Sequence, residues 1–183
     1  MRIISGKYKG RNINPPKGLP VRPTTDMAKV GLFNILNNYF DFENIKVLDL
    51  FAGTGNITLE FISRGTQDIS SIDMHFKCIE FIKGQSALMN APKAKAIKSN
   101  VFNFLNKCTE TFDIIFADAP YDLEKAIEIP DIVFTKKLLN PEGWLIVEHS
   151  SRTNFESHQN FHEQRKYGNV NFSIFSYRLI ANS

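Results

Sequence analysis

Four consecutive residues, Asp118-Ala119-Pro120-Tyr121, carry the groups needed for chemistry on a planar exocyclic amine. Such an amine is a poor nucleophile because its lone pair is delocalised into the ring. Two acceptors that bind its hydrogens can draw the nitrogen toward sp³ geometry, and we expect the Asp118 carboxylate and the Ala119 carbonyl to be these acceptors. Pro120 fixes the local φ and leaves no competing N–H, and the Tyr121 ring can stack on an extruded base. The tetrapeptide predicts methyl transfer to a base amine; the alternative is a simple strand-to-turn junction.

A Gly-rich turn after a buried strand predicts the binding site for the methyl donor. The turn lacks the GxxxxGK[ST] pattern of a phosphate loop, and Thr58 stands where a dinucleotide-binding loop needs its third glycine. An acid at the strand end, followed by FxGxG, favours S-adenosylmethionine instead, because Asp49 can hold its amino group directly or through water. The predicted cofactor residues of this segment are Asp49, Phe51, Ala52, Gly53, Thr54 and Gly55.

The ends of the next two strands are predicted to complete the cofactor site. Asp73 ends the second strand, where an acid is placed to bind ribose hydroxyls. Asn100 ends the third strand, where its amide could read the adenine edge, although Asn also serves as an ordinary helix cap. Their neighbours Met74 and Val101 belong to the same predicted site.

The elements that must position these groups alternate between strand and helix from residue 46 onward. Strands are predicted over 46–51, 69–73, 94–99, 112–118, 144–148, 163–167 and 171–179, and helices over 57–64, 75–89, 102–106 and 123–139. Repeated β-α units indicate a parallel sheet with right-handed crossovers. The final hairpin predicts a Rossmann-like α/β fold of the class I methyltransferase type, with a seven-stranded, mostly parallel sheet and one antiparallel strand. We expect a single domain over 1–183, in which an N-terminal β-hairpin, loop and helix (1–40) precede the core (44–183).

Positive charge is concentrated at the start of the chain. Residues 1–30 contain seven Lys or Arg and one acid, whereas the net charge of all 183 residues is only +3. Lys7, Lys9 and Arg11 would lie on the open face of the predicted hairpin. This distribution suggests that a polyanion such as RNA is bound at one edge; an ordinary solvated surface is the alternative.

Other functional classes find little support in the sequence. The two cysteines and four histidines lack metal-ligand spacing, so no metal is expected. No stretch approaches the length of an apolar membrane helix, and the start lacks the apolar run of a secretory signal. We therefore expect a cytoplasmic protein that does not bind membranes.

The chain resembles the RsmD family of bacterial 16S rRNA guanine-N2 methyltransferases over nearly its whole length. The resemblance rests on MRIISGKYKGR (1–11), RPTTD (22–26), LFNIL (32–36), DLFAGTGNITLEFISRG (49–65), Asp73, Ser99-Asn100, the tetrapeptide and RKYGN (165–169). It implies S-adenosylmethionine as the methyl donor and a guanine N2 amine of 16S rRNA as the acceptor. The physical substrate would be the small ribosomal subunit or its assembly intermediate, and we expect the protein to be a monomer.

The resemblance also implies that Arg22, Thr24 and Asp26 line the mouth between cofactor and RNA. Helix entry, with Thr capping and Asp favouring the helix dipole, explains them equally well. Two positions depart from the family pattern: Ala119 replaces the first Pro of Asp-Pro-Pro, and Met27 replaces an Arg. Neither change removes a needed functional group, but each could affect the rate or RNA affinity.

Two further functions stay open at this point. A tetrapeptide of this type serves several planar nitrogens, so methylation of adenine N6 or another nucleic-acid amine is the main alternative. The other is an RNA chaperone that binds S-adenosylmethionine but has lost catalysis. Retention of Asp118, Pro120 and Tyr121 disfavours this second alternative.

Overall fold

The computed structural model describes residues 1–16, 18–19 and 25–177, which are built around a seven-stranded sheet. The strands are β1 Lys46–Leu50, β2 Asp68–Asp73, β3 Lys95–Lys98, β4 Phe112–Asp118, β5 Leu139–His149, β6 Phe161–Tyr167 and β7 Val170–Ser176. The helices are α1 Asp26–Leu36, α2 Asn56–Ser63, α3 Phe76–Leu88, α4 Val101–Lys107 and α5 Ile129–Thr135, with a 3₁₀ helix at Glu124–Glu128 before α5. Within these ranges no helix has the length and apolar character that a membrane crossing requires.

The strand order is β3-β2-β1-β4-β5-β7-β6. Strands β1 to β5 pair in parallel, and β7 runs antiparallel to both β5 and β6. The predicted fold is therefore confirmed, including its one antiparallel strand. Strand order reverses between β1 and β4, and ligands in such sheets bind beyond the carboxyl ends of the strands at that point.

Apolar side chains cover both faces of the sheet, as expected for parallel strands buried between helices. In β4, Ile114 and Phe116 pack on the face that holds α1 and α2. Ile115 and Ala117 pack on the opposite face, against α4 and α5. This two-sided burial fixes β4, and the tetrapeptide that follows it, relative to the Gly-rich turn.

The predicted N-terminal β-hairpin forms only at its open end. An isolated antiparallel bridge joins Arg2 and Asn12, and backbone hydrogen bonds on either side of it join residues 1–3 to residues 10–13. Beyond this short pairing the N–H groups of Ile4 and Ser5 donate to the Glu60 carboxylate at 2.8 and 3.0 Å. Residues 4–10 are thus a loop, the N-terminal loop, that is attached to α2.

The predicted helix over 123–139 was also wrong in its extent. Pro130 has no N–H to continue a helix through its position, and the chain forms the 3₁₀ helix first and then the short α5, with Pro130 in its first turn. Strand β5 then begins at Leu139, five residues before the predicted start, and a register shift opposite Phe112 and Ile114 accommodates the Pro141–Gly143 turn. Residues 178–179 of the predicted last strand lie outside the described residues.

Candidate active site

A cavity of about 820 Å³ opens at the carboxyl ends of β1, β2, β4 and β5. It is lined by all of the predicted cofactor residues except Gly55, namely Asp49, Phe51, Ala52, Gly53, Thr54, Asp73, Met74, Asn100 and Val101. All four residues of the tetrapeptide line it as well. Predicted residues up to 72 positions apart in sequence, from Asp49 to Tyr121, therefore share one cavity.

The Gly-rich turn has a strained backbone next to this cavity. The backbone φ angles of Phe51, Gly53 and Gly55 are all positive, at 59°, 53° and 77°. Residues other than Gly rarely adopt a positive φ, so the backbone of Phe51 is strained. Gly55 serves packing rather than the cavity wall, because a Cβ there would lie 2.8 Å from Ile82 Cγ1. Strain of this kind often accompanies ligand-binding turns.

Asp49 is a buried carboxyl group at the base of the cavity, with 2% of its surface exposed. Its Oδ2 accepts hydrogen bonds from the Thr58 hydroxyl at 2.5 Å and the Thr58 N–H at 3.1 Å. Burial raises the pKa of Asp49 to about 7, although the bonds from Thr58 oppose this rise. The group therefore changes charge near neutral pH, and a cationic ligand would favour its ionised form.

Asp73 and Asn100 each hold a neighbouring turn while lining the cavity. The Asp73 carboxylate accepts from the N–H groups of Gly53 at 2.9 Å and His75 at 2.7 Å, so it ties the Gly-rich turn to the end of β2. Asn100 caps α4, since its Oδ1 accepts from the Asn103 N–H at 3.1 Å. Its amide nitrogen lies 3.7 Å from the Met74 sulfur.

The tetrapeptide lines the cavity next to the Gly-rich turn, because β4 and β1 are neighbouring strands. Asp118 ends β4 and is paired in register with Glu148 of β5, which places two carboxyl side chains on adjacent strand ends. The Pro120 carbonyl accepts from the Leu123 N–H at 2.9 Å, which closes the turn. The Tyr121 side chain is half exposed, and its hydroxyl lies 3.5 Å from Glu148 Oε1. An acid, a backbone carbonyl and an accessible ring thus meet at one end of the cavity.

Of the six residues predicted to bind RNA, the structure describes four, and none of these four lines the cavity. Arg22 and Thr24 lie outside the described residues. Asp26 is in the first turn of α1 and pairs with Arg2 at 3.1 Å, on the surface. Thr25 is the N-cap, accepting from the Ala28 N–H. Lys7, Lys9 and Arg11 do not line the cavity; they lie in or beside the N-terminal loop, which contacts the C-terminal end of α2 through Ser63.

A buried ion pair behind the cavity was missed by the sequence reasoning. Lys29 and Glu60 are fully buried, with Nζ 3.3 Å from Glu60 Oε2. The Lys29 ammonium also donates to the Arg2 carbonyl at 2.6 Å and to Asn56 Oδ1 at 2.9 Å, and Asn56 lines the cavity. Burial lowers the pKa of Lys29, and Glu60 opposes that shift. The pair joins the N-terminal loop, α1 and α2 beside the cofactor turn.

Thr25, Lys125 and Glu148 are among the other cavity residues that were not predicted. Lys125 follows the tetrapeptide, and its Nζ lies 4.9 Å from the centre of the Phe102 ring. Their position near a predicted strand or helix end was the available signal, but polar residues are common there. In the described part of the chain, no group of three or more His, Cys, Asp or Glu side chains could hold a metal ion.

Comparison with known proteins places the chain among methyltransferases. A family model described as Conserved hypothetical protein 95 matches residues 1–176. The Bacillus subtilis protein YlbH, which carries a provisional rRNA methyltransferase name, is 33% identical over 153 residues, covering 81% of this chain and 82% of that protein. The Escherichia coli ribosomal RNA small subunit methyltransferase D is 32% identical over 151 residues, covering 81% of this chain and 71% of that protein.

Solved structures of methyltransferases have a similar fold. The Escherichia coli protein YhhF, described provisionally as a methyltransferase, superimposes with a TM-score of 0.83 at 28% identity, covering 96% of both chains. A Thermus thermophilus 16S rRNA N2 methyltransferase, solved with AdoMet and guanosine, superimposes with a TM-score of 0.70 at 21% identity. That alignment covers 88% of this chain and 46% of the other, and it shows likeness of fold alone.

Proposed function

The chain belongs to the RsmD family, and from this premise we propose that it transfers a methyl group from S-adenosylmethionine to the N2 amine of a guanine in 16S rRNA. The observation that carries the proposal is the shared cavity, which is lined both by the Gly-rich turn with its acidic residues and by the tetrapeptide. Donor and acceptor must meet for a direct methyl transfer, and this arrangement brings their predicted binding groups to one place.

The residues present fit S-adenosylmethionine. The buried Asp49 carboxyl group has a pKa near neutrality and would be stabilised as an anion by the ligand's ammonium group. Asp73 would hold the ribose hydroxyls, and Asn100 and Val101 would contact the adenine. When bound, this cofactor supplies a methyl group on a sulfonium, an electrophile that a neutral amine can attack.

The tetrapeptide would prepare the acceptor amine. The Asp118 carboxylate accepts a hydrogen bond from one amine N–H and the Ala119 carbonyl accepts a hydrogen bond from the other. These two bonds draw the nitrogen toward sp³ geometry, so that its lone pair is less delocalised into the ring. As the nitrogen gains the methyl group it becomes cationic, and the negative charge of Asp118 stabilises it and takes up the proton that it releases. The accessible ring of Tyr121 stacks on the base and holds it in line.

The partner is 16S rRNA of the small ribosomal subunit, in the assembled subunit or an assembly intermediate. Lys7, Lys9 and Arg11 would contact its phosphates, and Arg22, Thr24 and Asp26 would lie at the cavity mouth. We further propose that residues 1–183 act as one domain, as a monomer and in the cytoplasm, where ribosomal RNA is found.

The proposal is tested by methyl transfer from labelled S-adenosylmethionine to small subunits isolated from cells that lack this activity. We expect one methyl group per subunit with the wild-type protein and none above background with Asp118→Ala. Cofactor titration of the variant is the control for folding. Absence of transfer by a wild-type protein that binds the cofactor would overturn the proposal.

A further inference from the structure

We propose that a second RNA-binding surface, formed by Lys7, Lys9, Arg11, Lys93 and Lys95, lies at the end of the molecule opposite the cavity and binds phosphates remote from the target guanine. We name it the distal basic surface. The inference rests on the proposed function and adds to it a minimum span for the RNA substrate.

Contacts of the N-terminal loop place it at that opposite end. The Lys7 N–H donates to the Ser63 carbonyl at 2.7 Å, and the Tyr8 hydroxyl donates to the Met89 carbonyl at 2.8 Å. Ser63 ends α2, and Met89 is the C-cap of α3. Both helices start at the cavity edge and return to the amino ends of the strands, so Tyr8 and its neighbours lie at the amino edge.

Gly6 fixes this placement. It has a φ of +80°, and a Cβ at this position would lie 1.9 Å from the Ser63 carbonyl oxygen. The Ser63 hydroxyl in turn accepts from the Tyr8 N–H and donates to the Ser5 carbonyl at 2.6 Å. Residues 6–8 of the loop are therefore packed directly on the last turn of α2.

Positive charge from two separate segments meets at this edge. Lys7 Nζ and the Arg11 guanidinium lie 5.5 and 5.9 Å from the centre of the Tyr8 ring. Lys93 and Lys95 are exposed and follow Met89, the residue that Tyr8 contacts. Neither 1–14 nor 89–98 contains an acidic residue. Glu110 interacts electrostatically with Lys95, but its carboxylate forms an ion pair with Lys46.

A surface of this composition fits the phosphate backbone of RNA better than a protein partner. It presents cations around one aromatic ring, and phosphate contacts provide affinity without reading sequence. The six residue steps from Phe112 to Asp118 along β4 separate this edge from Asp118 by about 20 Å. At about 3.4 Å per nucleotide, an RNA strand whose bases stay stacked must extend roughly six nucleotides from the target guanine to reach it.

The experiment compares the double variant Lys93→Ala/Lys95→Ala with a control variant, Lys107→Ala/Lys136→Ala. The control also removes two exposed lysines, one at the end of α4 and one at the end of α5, on the opposite face of the sheet. Binding and single-turnover methylation are measured on intact small subunits, at several salt concentrations, and on a five-nucleotide RNA that contains the target guanine. Cofactor titration and thermal unfolding of each variant establish that the fold is intact.

We expect Lys93→Ala/Lys95→Ala to bind small subunits more weakly and with a shallower salt dependence, while the maximal rate is kept. The loss of two phosphate contacts lowers the slope of log affinity against log salt by about 1.4–1.8, so between 50 and 200 mM salt the wild type should lose about tenfold more affinity than the variant. On the five-nucleotide RNA the two proteins should behave alike. The Lys107→Ala/Lys136→Ala variant should match the wild type on both substrates.

An unchanged slope, or an equal defect on the short RNA, would overturn the distal basic surface. A defect of the same size in the control variant would do so too, because it would indicate a general effect of net charge. Failure of the wild type to methylate the subunit would instead refute the proposed function. The two failures are thus distinguishable.

Discussion

Replacing Asp49 by Asn should abolish a pH dependence of cofactor binding that the wild-type protein shows below neutrality. Burial of this carboxyl group raises its pKa to about 7, so in the unliganded protein it takes up a proton as the pH falls through that value. In the proposed site the ammonium group of S-adenosylmethionine requires the ionised carboxylate. We therefore expect protonation of Asp49 to compete with cofactor binding.

The size of the effect follows from the pKa. At pH 6 about one tenth of the protein carries an ionised Asp49, and at pH 5 about one hundredth, so the apparent affinity should fall about tenfold for each pH unit below 7. Above about pH 8 an α-amino group loses its own proton, and the affinity should fall again. The same raised pKa makes the unliganded protein less stable as the pH rises from about 4 to about 7, because the unfolded carboxyl group ionises first.

Calorimetric titration at pH 5.5, 6.25, 7 and 7.75, in buffers of different ionisation enthalpy, measures both the affinity and the protons released. Asp49→Asn should bind weakly at every pH, with no proton release from this site. Asn100→Ala should lose less affinity than Asp49→Asn and keep the wild-type pH dependence, because a neutral hydrogen bond is weaker than a charge-assisted one. Wild-type affinity that does not change below pH 7 would refute the role given to Asp49.

Three substitutions test other parts of the site. Asp118→Ala should lower the single-turnover rate of methyl transfer by a factor of ~10²–10³ while cofactor affinity is kept. Asp118→Asn should have an intermediate rate. A near-wild-type rate for Asp118→Ala would mean that the tetrapeptide only ends a strand and has no role in the chemistry. Tyr121→Ala should weaken RNA binding by ~1–3 kcal/mol in a filter-binding assay, whereas Tyr121→Phe should be mild because stacking uses the ring; a larger effect of Phe than of Ala would contradict this. Lys29→Met should lower the free energy of unfolding by about 3–5 kcal/mol in urea titrations, because it leaves the Glu60 carboxylate buried without its ammonium partner. Glu60 is also bound by Arg64, whose Nε lies 2.9 Å from Glu60 Oε1; a change below about 1 kcal/mol would show that Arg64 and the backbone N–H groups suffice.

Much of the cavity could be predicted because its residues follow from strand order. A buried strand that ends in an acid and a Gly-rich turn has few structural outcomes, and the carboxyl ends of adjacent parallel strands must converge. Asp49, Asp73, Asn100 and Asp118 were found in this way, each at or next to the end of a strand. Their chemical roles stay predictions.

Contacts across the chain were harder to predict. Lys29 lies on a helix and would ordinarily be solvent-exposed, and nothing local indicates that Glu60, 31 residues later, is buried against it. The same Glu60 binds the backbone of Ile4 and Ser5, so the predicted hairpin pairs only at its open end and the rest forms a loop on α2. The proposed contribution of Lys93 and Lys95 to the basic surface was missed for a similar reason, since Tyr8 contacts Met89 only in the folded chain.

The identity of the methylated atom tests the central claim most directly. Small subunits from cells lacking the activity are incubated with the purified protein and S-adenosylmethionine, and their 16S rRNA is digested to nucleosides and compared by mass spectrometry and chromatography with methylated standards. We predict a single new product that comigrates with N2-methylguanosine and is absent with Asp118→Ala. Methylation of an adenine, or no product from a protein that binds the cofactor, would contradict the proposed activity.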